Sequence, residues 1–195
     1  MNKNITAVNV TLVNDVKPCH YFDKDCTIKQ VAELRYNDIT VVVGLTTSIC
    51  GTDGSSLMEL ISESVNGDVA KLQSTAAVYL MSPMADYNTV TNEFMILIPD
   101  MKYLNEEYLP IMCHELGHIV LDSDALTSTT EIIDNHEMEL RADNFAMDIV
   151  GGKSMYECIL GTIHDLINLA KQGGQELTVD AFNVNYRLDN MLARC

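Results

Sequence analysis

His114, Glu115 and His118, within the stretch His114-Glu115-Leu116-Gly117-His118, have the types and spacing that metal chemistry needs. On a helix, positions i and i+4 share a face, so both imidazoles can aim a ring nitrogen at one ion. Glu115 then lies beside that ion without binding it, where a carboxylate can take a proton from a water the metal activates. In a chain of 195 residues with five histidines, this pattern arises by chance roughly once in a hundred cases. The bland alternative is an ordinary helix with two core or surface histidines. A second segment downstream weighs against it.

That segment runs from His136 to Ala146, His-Glu-Met-Glu-Leu-Arg-Ala-Asp-Asn-Phe-Ala. A hydrolytic zinc site takes three protein ligands and keeps one position open. A carboxylate on a helix that returns against the first would complete the set. Glu139, 21 residues after His118, leaves room for that return. Asp143 lies one turn further on the same face, where it could accept the free ring N–H of a bound histidine and fix its tautomer. Met138, Ala142, Phe145 and Ile149 form an apolar stripe beside this acidic edge. Two other third ligands remain open. Asp124 stands six residues after His118, but that arrangement needs a sharp turn where Leu121 takes the place of a glycine. His136 offers an imidazole.

The two segments together resemble the gluzincin metallopeptidases, and are most similar to the ImmA/IrrE-type proteins and the minigluzincins. The likeness rests on HELGH at 114–118 followed by Glu139-x-x-Ala142-Asp143-x-Phe145-Ala146, and covers roughly residues 93–150. It implies one Zn2+ ion on His114, His118 and Glu139, with Glu115 as general base and Asp143 behind the ligands. Asp143 stands where the ImmA/IrrE type more often has Asn; Asp is usual in other gluzincins. The implied activity is zinc-dependent peptide hydrolysis on a narrow protein substrate. The alternative is a zincin-fold protein that keeps the metal for binding or regulation without cutting. In comparable enzymes the electrophilic donor follows the third ligand, which points to Tyr156 and His164. An edge strand in the neighbourhood of Phe94–Ile98 would form the rim of a cleft and take an extended peptide.

Composition narrows the partners. Hydrophobic content of 47% with 21% charged residues is that of a globular chain. The length matches one domain, 1–195, with a mostly sheet-forming half over 1–103 and a helical half with the metal site over 104–195. A net charge of −16 disfavours nucleic acid and anionic membranes, and steers toward basic peptides or proteins. The residues Met1–Val10 lack the apolar run of a secretory signal, and no stretch reaches a membrane span, so a cytoplasmic protein is expected. The six cysteines show no C-x-x-C pair and read as reduced thiols. Cys113 points to another face of the metal helix.

The elements that must position the site follow from periodicity and punctuation. Asp25–Tyr36 reads as a short amphipathic helix, Ile39–Leu45 as a buried strand, Thr46–Ser56 as a loop and Leu57–Val65 as a helix. Ala76–Met81 and Glu93–Ile98 read as strands separated by a loop holding Pro83, Asp86 and Asn88. Pro110 sets the start of the metal helix, which should run to about Leu121. Thr127–Thr130 would cap a second helix ending at Gly151-Gly152. Helices over Ser154–Lys171 and Val179–Ala193 complete the chain. The expected class is α+β, zincin-like: a small mixed β-sheet, then helices, with the zinc where they meet.

Overall fold

Strands take up about half of the first hundred residues of the computed structural model, which describes residues 8–127, 136–172 and 184–195. The chain divides into two compact units, Met1–Leu104 and Asn105–Cys195. The class is α+β, with a five-stranded mixed sheet in the first unit and helices dominating the second. Among the described residues no helix is long and apolar enough to cross a membrane.

In the first unit, β1 (Asn9–Tyr21), β2 (Lys24–Tyr36) and β3 (Ile39–Gly51) form an antiparallel meander. The β1–β2 turn uses Phe22 and Asp23 at φ 55° and 58°, the left-handed pair that matches strand twist in two-residue hairpins. α1 (Leu57–Ser64) and α2 (Val69–Met81) follow, then β4 (Met84–Asn88) and β5 (Glu93–Ile98). The sheet order is β1-β2-β3-β5-β4, with β3 and β5 parallel. The outer strands are tied by side chains: Tyr21 donates to Asp86 at 2.5 Å, and Asn88 Nδ2 donates to the Pro18 carbonyl at 2.8 Å. The sheet therefore curls until β1 reaches β4. Ile28, Val42, Ile49, Met95 and Leu97 pack against Leu57, Leu60 and Ile61 of α1. α1 begins with a reciprocal cap, Ser56 accepting from the Glu59 backbone and Glu59 accepting from Ser56.

In the second unit, α3 (Leu109–Leu121) starts with Pro110 in its first turn, where the missing N–H costs nothing. A short helix, α4 (Ser123–Thr127), follows. α5 (His136–Val150) stops at Gly151, whose φ of 88° a side chain would resist. α6 (Gly152–Gln172) and α7 (Asn185–Leu192) complete the unit.

Several expectations need correction, most of them in the first unit. Asp25–Tyr36 is strand β2, not helix. Cys26, Ile28, Gln30, Ala32 and Leu34 are buried at alternate positions, and Gln30, polar yet buried, hid that period. Ala76–Met81 is the second half of helix α2, which Asp68 caps by accepting from the Lys71 backbone. A six-residue apolar run does not distinguish strand from helix by itself. β3 continues through Thr46–Gly51, half of the expected loop, and β4 occupies the loop expected around Asp86. β1 carried too little burial to read as a strand. Phe94–Ile98 is not an edge strand, since β5 lies between β3 and β4. The helices at 57–65, 109–121 and 154–171 stand close to their expected ends. Thr127, the first residue of the expected cap, ends α4 instead. The rest of that cap, 128–130, and the start of the last helix at 179–183 lie outside the described residues.

Candidate metal centre

Two helices must approach closely before their side chains can share an ion, and glycine 117 allows it. A Cβ on Gly117 would lie 2.9 Å from the Ala142 Cα and 3.1 Å from its carbonyl oxygen. The small pair Gly117 and Ala142 thus lets the backbones of α3 and α5 come within reach of each other, and Ala142 is fully buried. On α3, His114, Glu115 and the apolar residues between Pro110 and Ile119 are buried. On α5 the buried face is Ala142, Asp143, Ala146 and Met147. The acidic edge of α5 is therefore its inner face, while Met138, Phe145 and Ile149 of the expected stripe are only half-buried.

Across this seam three donors converge. His114 Nε2 lies 3.2 Å from His118 Nε2 and 3.3 Å from Glu139 Oε2. His118 Nε2 lies 3.4 Å from Glu139 Oε1. Ligands about 2.0–2.1 Å from a tetrahedral ion sit about 3.3–3.4 Å from one another. Each contact has about that length, the two to Glu139 through different oxygens. With one atom per residue the three donors lie within 4.8 Å. His114, His118 and Glu139 are the one group of this kind among the described residues. Asp124 is exposed on α4, and His136 is exposed and stacked on Tyr186 at 4.5 Å, so neither belongs to the cluster. Cys113 is buried, its thiol pushed up to about 12 by that burial, and is not part of the set. All six cysteines are free thiols.

Behind each imidazole stands a carboxylate. His114 Nδ1 donates to Asp143 Oδ1 at 2.9 Å, and Asp143 is fully buried. That bond places the proton on Nδ1 and leaves Nε2 with a lone pair for a metal. His118 Nδ1 lies 3.6 Å from Asp122 Oδ2, an oxygen that is buried without a hydrogen-bond partner among the described residues. A small rotation of the His118 ring would satisfy it. Each carboxylate is itself held by a guanidinium: Arg187 on Asp143 and Arg141 on Asp122. Arg187 also reaches Glu139 at 2.9 Å.

The three acids that contact the imidazole nitrogens outnumber the cations that hold them. Glu139, Asp122 and Asp143 share two guanidiniums, those of Arg141 and Arg187, and the balance is left to the histidines or to a bound cation. The protonation of the metal-free site reflects the same imbalance. Burial opposes charge on His114, but its bonds to Asp143 and Glu139 and the nearby charge of Glu115 outweigh that and raise it to about 9. Burial likewise works against an ionised Glu139, yet the two histidines and Arg187 hold its carboxyl well below the usual range. Asp143 is lowered for the same reasons by His114 and Arg187. The donor set, the orphaned Asp122 oxygen and the acidic surroundings all fit a bound divalent metal.

Of the residues named from sequence, His114, Glu115, His118, Glu139 and Asp143 lie together. Tyr156 is half-buried and His164 exposed on α6. The polar contacts of the three donors involve neither of them among the described residues. Sequence reasoning missed Asp122, Arg141 and Arg187. Asp122 carried a signal, being four residues after His118, the same step that relates the two histidines; the arginines carried none. Comparisons with protein-family models, curated proteins and solved structures give no match to this chain.

Proposed function

We propose that the chain is a zinc-dependent metallopeptidase of gluzincin type with a zincin-like fold, cutting a narrow protein substrate. The observation that carries this reading is the convergence of one donor atom each from His114, His118 and Glu139 within 4.8 Å, with Glu115 buried next to His114. Its resemblance in HELGH and Glu139-x-x-Ala-Asp143 supports the same conclusion. A zinc ion held by these three side chains would supply Lewis acidity, polarising the scissile carbonyl and lowering the pKa of a water toward neutrality.

The chain's own groups do the rest. Glu115 takes the proton of the attacking water as its oxygen bonds to the carbonyl carbon, then delivers it to the amine as the C–N bond breaks. Asp143 keeps His114 in the tautomer with a bare Nε2, and Asp122 stands ready to do so for His118. The acidic surface would draw a basic substrate by steering.

The test uses a proteome-derived peptide pool and the Glu115→Gln variant. Zinc content should stay at one ion per chain, while new amino termini made by the wild-type protein should fall about 10²–10⁴-fold. Equal cleavage by the variant would end the peptidase reading. Zinc uptake with no cleavage of any pool by the wild-type protein would favour a non-catalytic zincin-fold binding protein.

A further inference from the structure

A guanidinium has five N–H donors in a rigid plane, and Arg187 spends most of its own on the candidate metal centre. Nε donates to Asp143 Oδ2 at 2.8 Å and Nη2 to Asp143 Oδ1 at 2.7 Å, a bidentate fork. Nη1 reaches Glu139 Oε2 at 2.9 Å. Nη2 is also 3.3 Å from His114 Nδ1 and 3.4 Å from His114 Nε2. An atom that nearly equidistant from both ring nitrogens would clash with Cε1 if it lay in the ring plane. It therefore sits over the imidazole face and leaves the Nε2 lone pair free. One side chain thus grips a ligand, covers a second ligand and holds the carboxylate behind it.

We propose that Arg187 is the positioning residue of this centre, setting the orientation of Glu139 and Asp143 so that the three donors stay at metal-binding spacing. The proposal rests on the metal reading above and adds to it a residue 44 positions beyond Asp143 in the chain. Geometry, not charge alone, is the claim. A guanidinium bridges two carboxylates at once, whereas the ammonium of a lysine is a point charge on a flexible stem. Simple charge counting predicts the opposite behaviour, because a cation beside a divalent ion repels it.

That opposition makes the test decisive. Zinc affinity is measured by chelator competition on the full chain for wild type, Arg187→Gln and Arg187→Lys, and visible spectra are taken after Co2+ substitution. Positioning requires both variants to lose about 10- to 100-fold in affinity, with a changed Co2+ spectrum. Tighter zinc binding by Arg187→Gln, or wild-type affinity in Arg187→Lys, overturns the proposal. If Arg187→Gln does not fold when metal-free, judged by circular dichroism, the Arg187→Lys result decides alone. Failure of the wild-type protein to take up zinc is a different result, and it removes the metal reading itself.

Discussion

The two histidines of the centre are backed by the same kinds of group in different surroundings. Behind His114, Asp143 is fully buried, 2.9 Å away, and gripped by two donors of Arg187. Behind His118, Asp122 is 3.6 Å away, leaves one oxygen without a partner among the described residues, and is held by Arg141, whose side chain is nearly half exposed. Asp122 is itself buried, but water reaches its arginine, so this pair is more screened than the one behind His114. A buried fork is costly to break, because what remains is an uncompensated charge. The difference separates the two arms: the carboxylate behind His114 is locked in place by direct bonds, and the one behind His118 stands off with an oxygen unspent.

The largest effect should come from breaking the tight arm. Asp143→Ala is expected to cost the metal-free protein about 3 kcal/mol in chemical denaturation, the low end for a buried pair because Arg187 keeps Glu139. A loss below about 1 kcal/mol, the level of an exposed pair, would mean that the two arms are energetically alike.

Amide substitutions compare the arms under metal. Asp143→Asn should weaken zinc binding about 10- to 100-fold, and Asp122→Asn by clearly less. Equal losses would erase the distinction drawn above.

The pH response of the metal-free protein sharpens it further. His114 is raised from 6.5 to about 9 in the folded chain, so its contribution is fully present below pH 6.5 and is lost as pH rises through about 9. The thermal midpoint should therefore fall over that window. Asp143→Asn should flatten the fall, since it removes a bond that raises His114. Zinc-loaded protein should not follow the metal-free curve, because bound metal takes the place of the proton on Nε2. The smallest change is expected from Arg141→Gln, below the loss from Asp143→Ala, because the amide can still donate to the buried Asp122 carboxylate.

The helical unit was far more legible in the sequence than the sheet. Its helices carry explicit punctuation, with Pro110 at one start and Gly151 at one stop, and its chemistry sits at fixed helical steps. The sheet offered no such marks. In β2, burial of Gln30 and a register shift between Gln30 and Ala32 broke the alternation that identifies a strand. In α2, helix and strand share the same apolar run. β1 is mostly exposed, so hydrophobicity could not locate it.

Residue order alone was enough to put His114 and His118 on one helical face and Asp143 one turn beyond Glu139, because 3.6 residues per turn relates neighbours without reference to any partner. It could not say that Gly117 and Ala142 would let α3 and α5 meet, nor that Arg187 would arrive from another helix to grip both acids. Those contacts join residues tens of positions apart, and only packing decides which distant side chains share one buried volume.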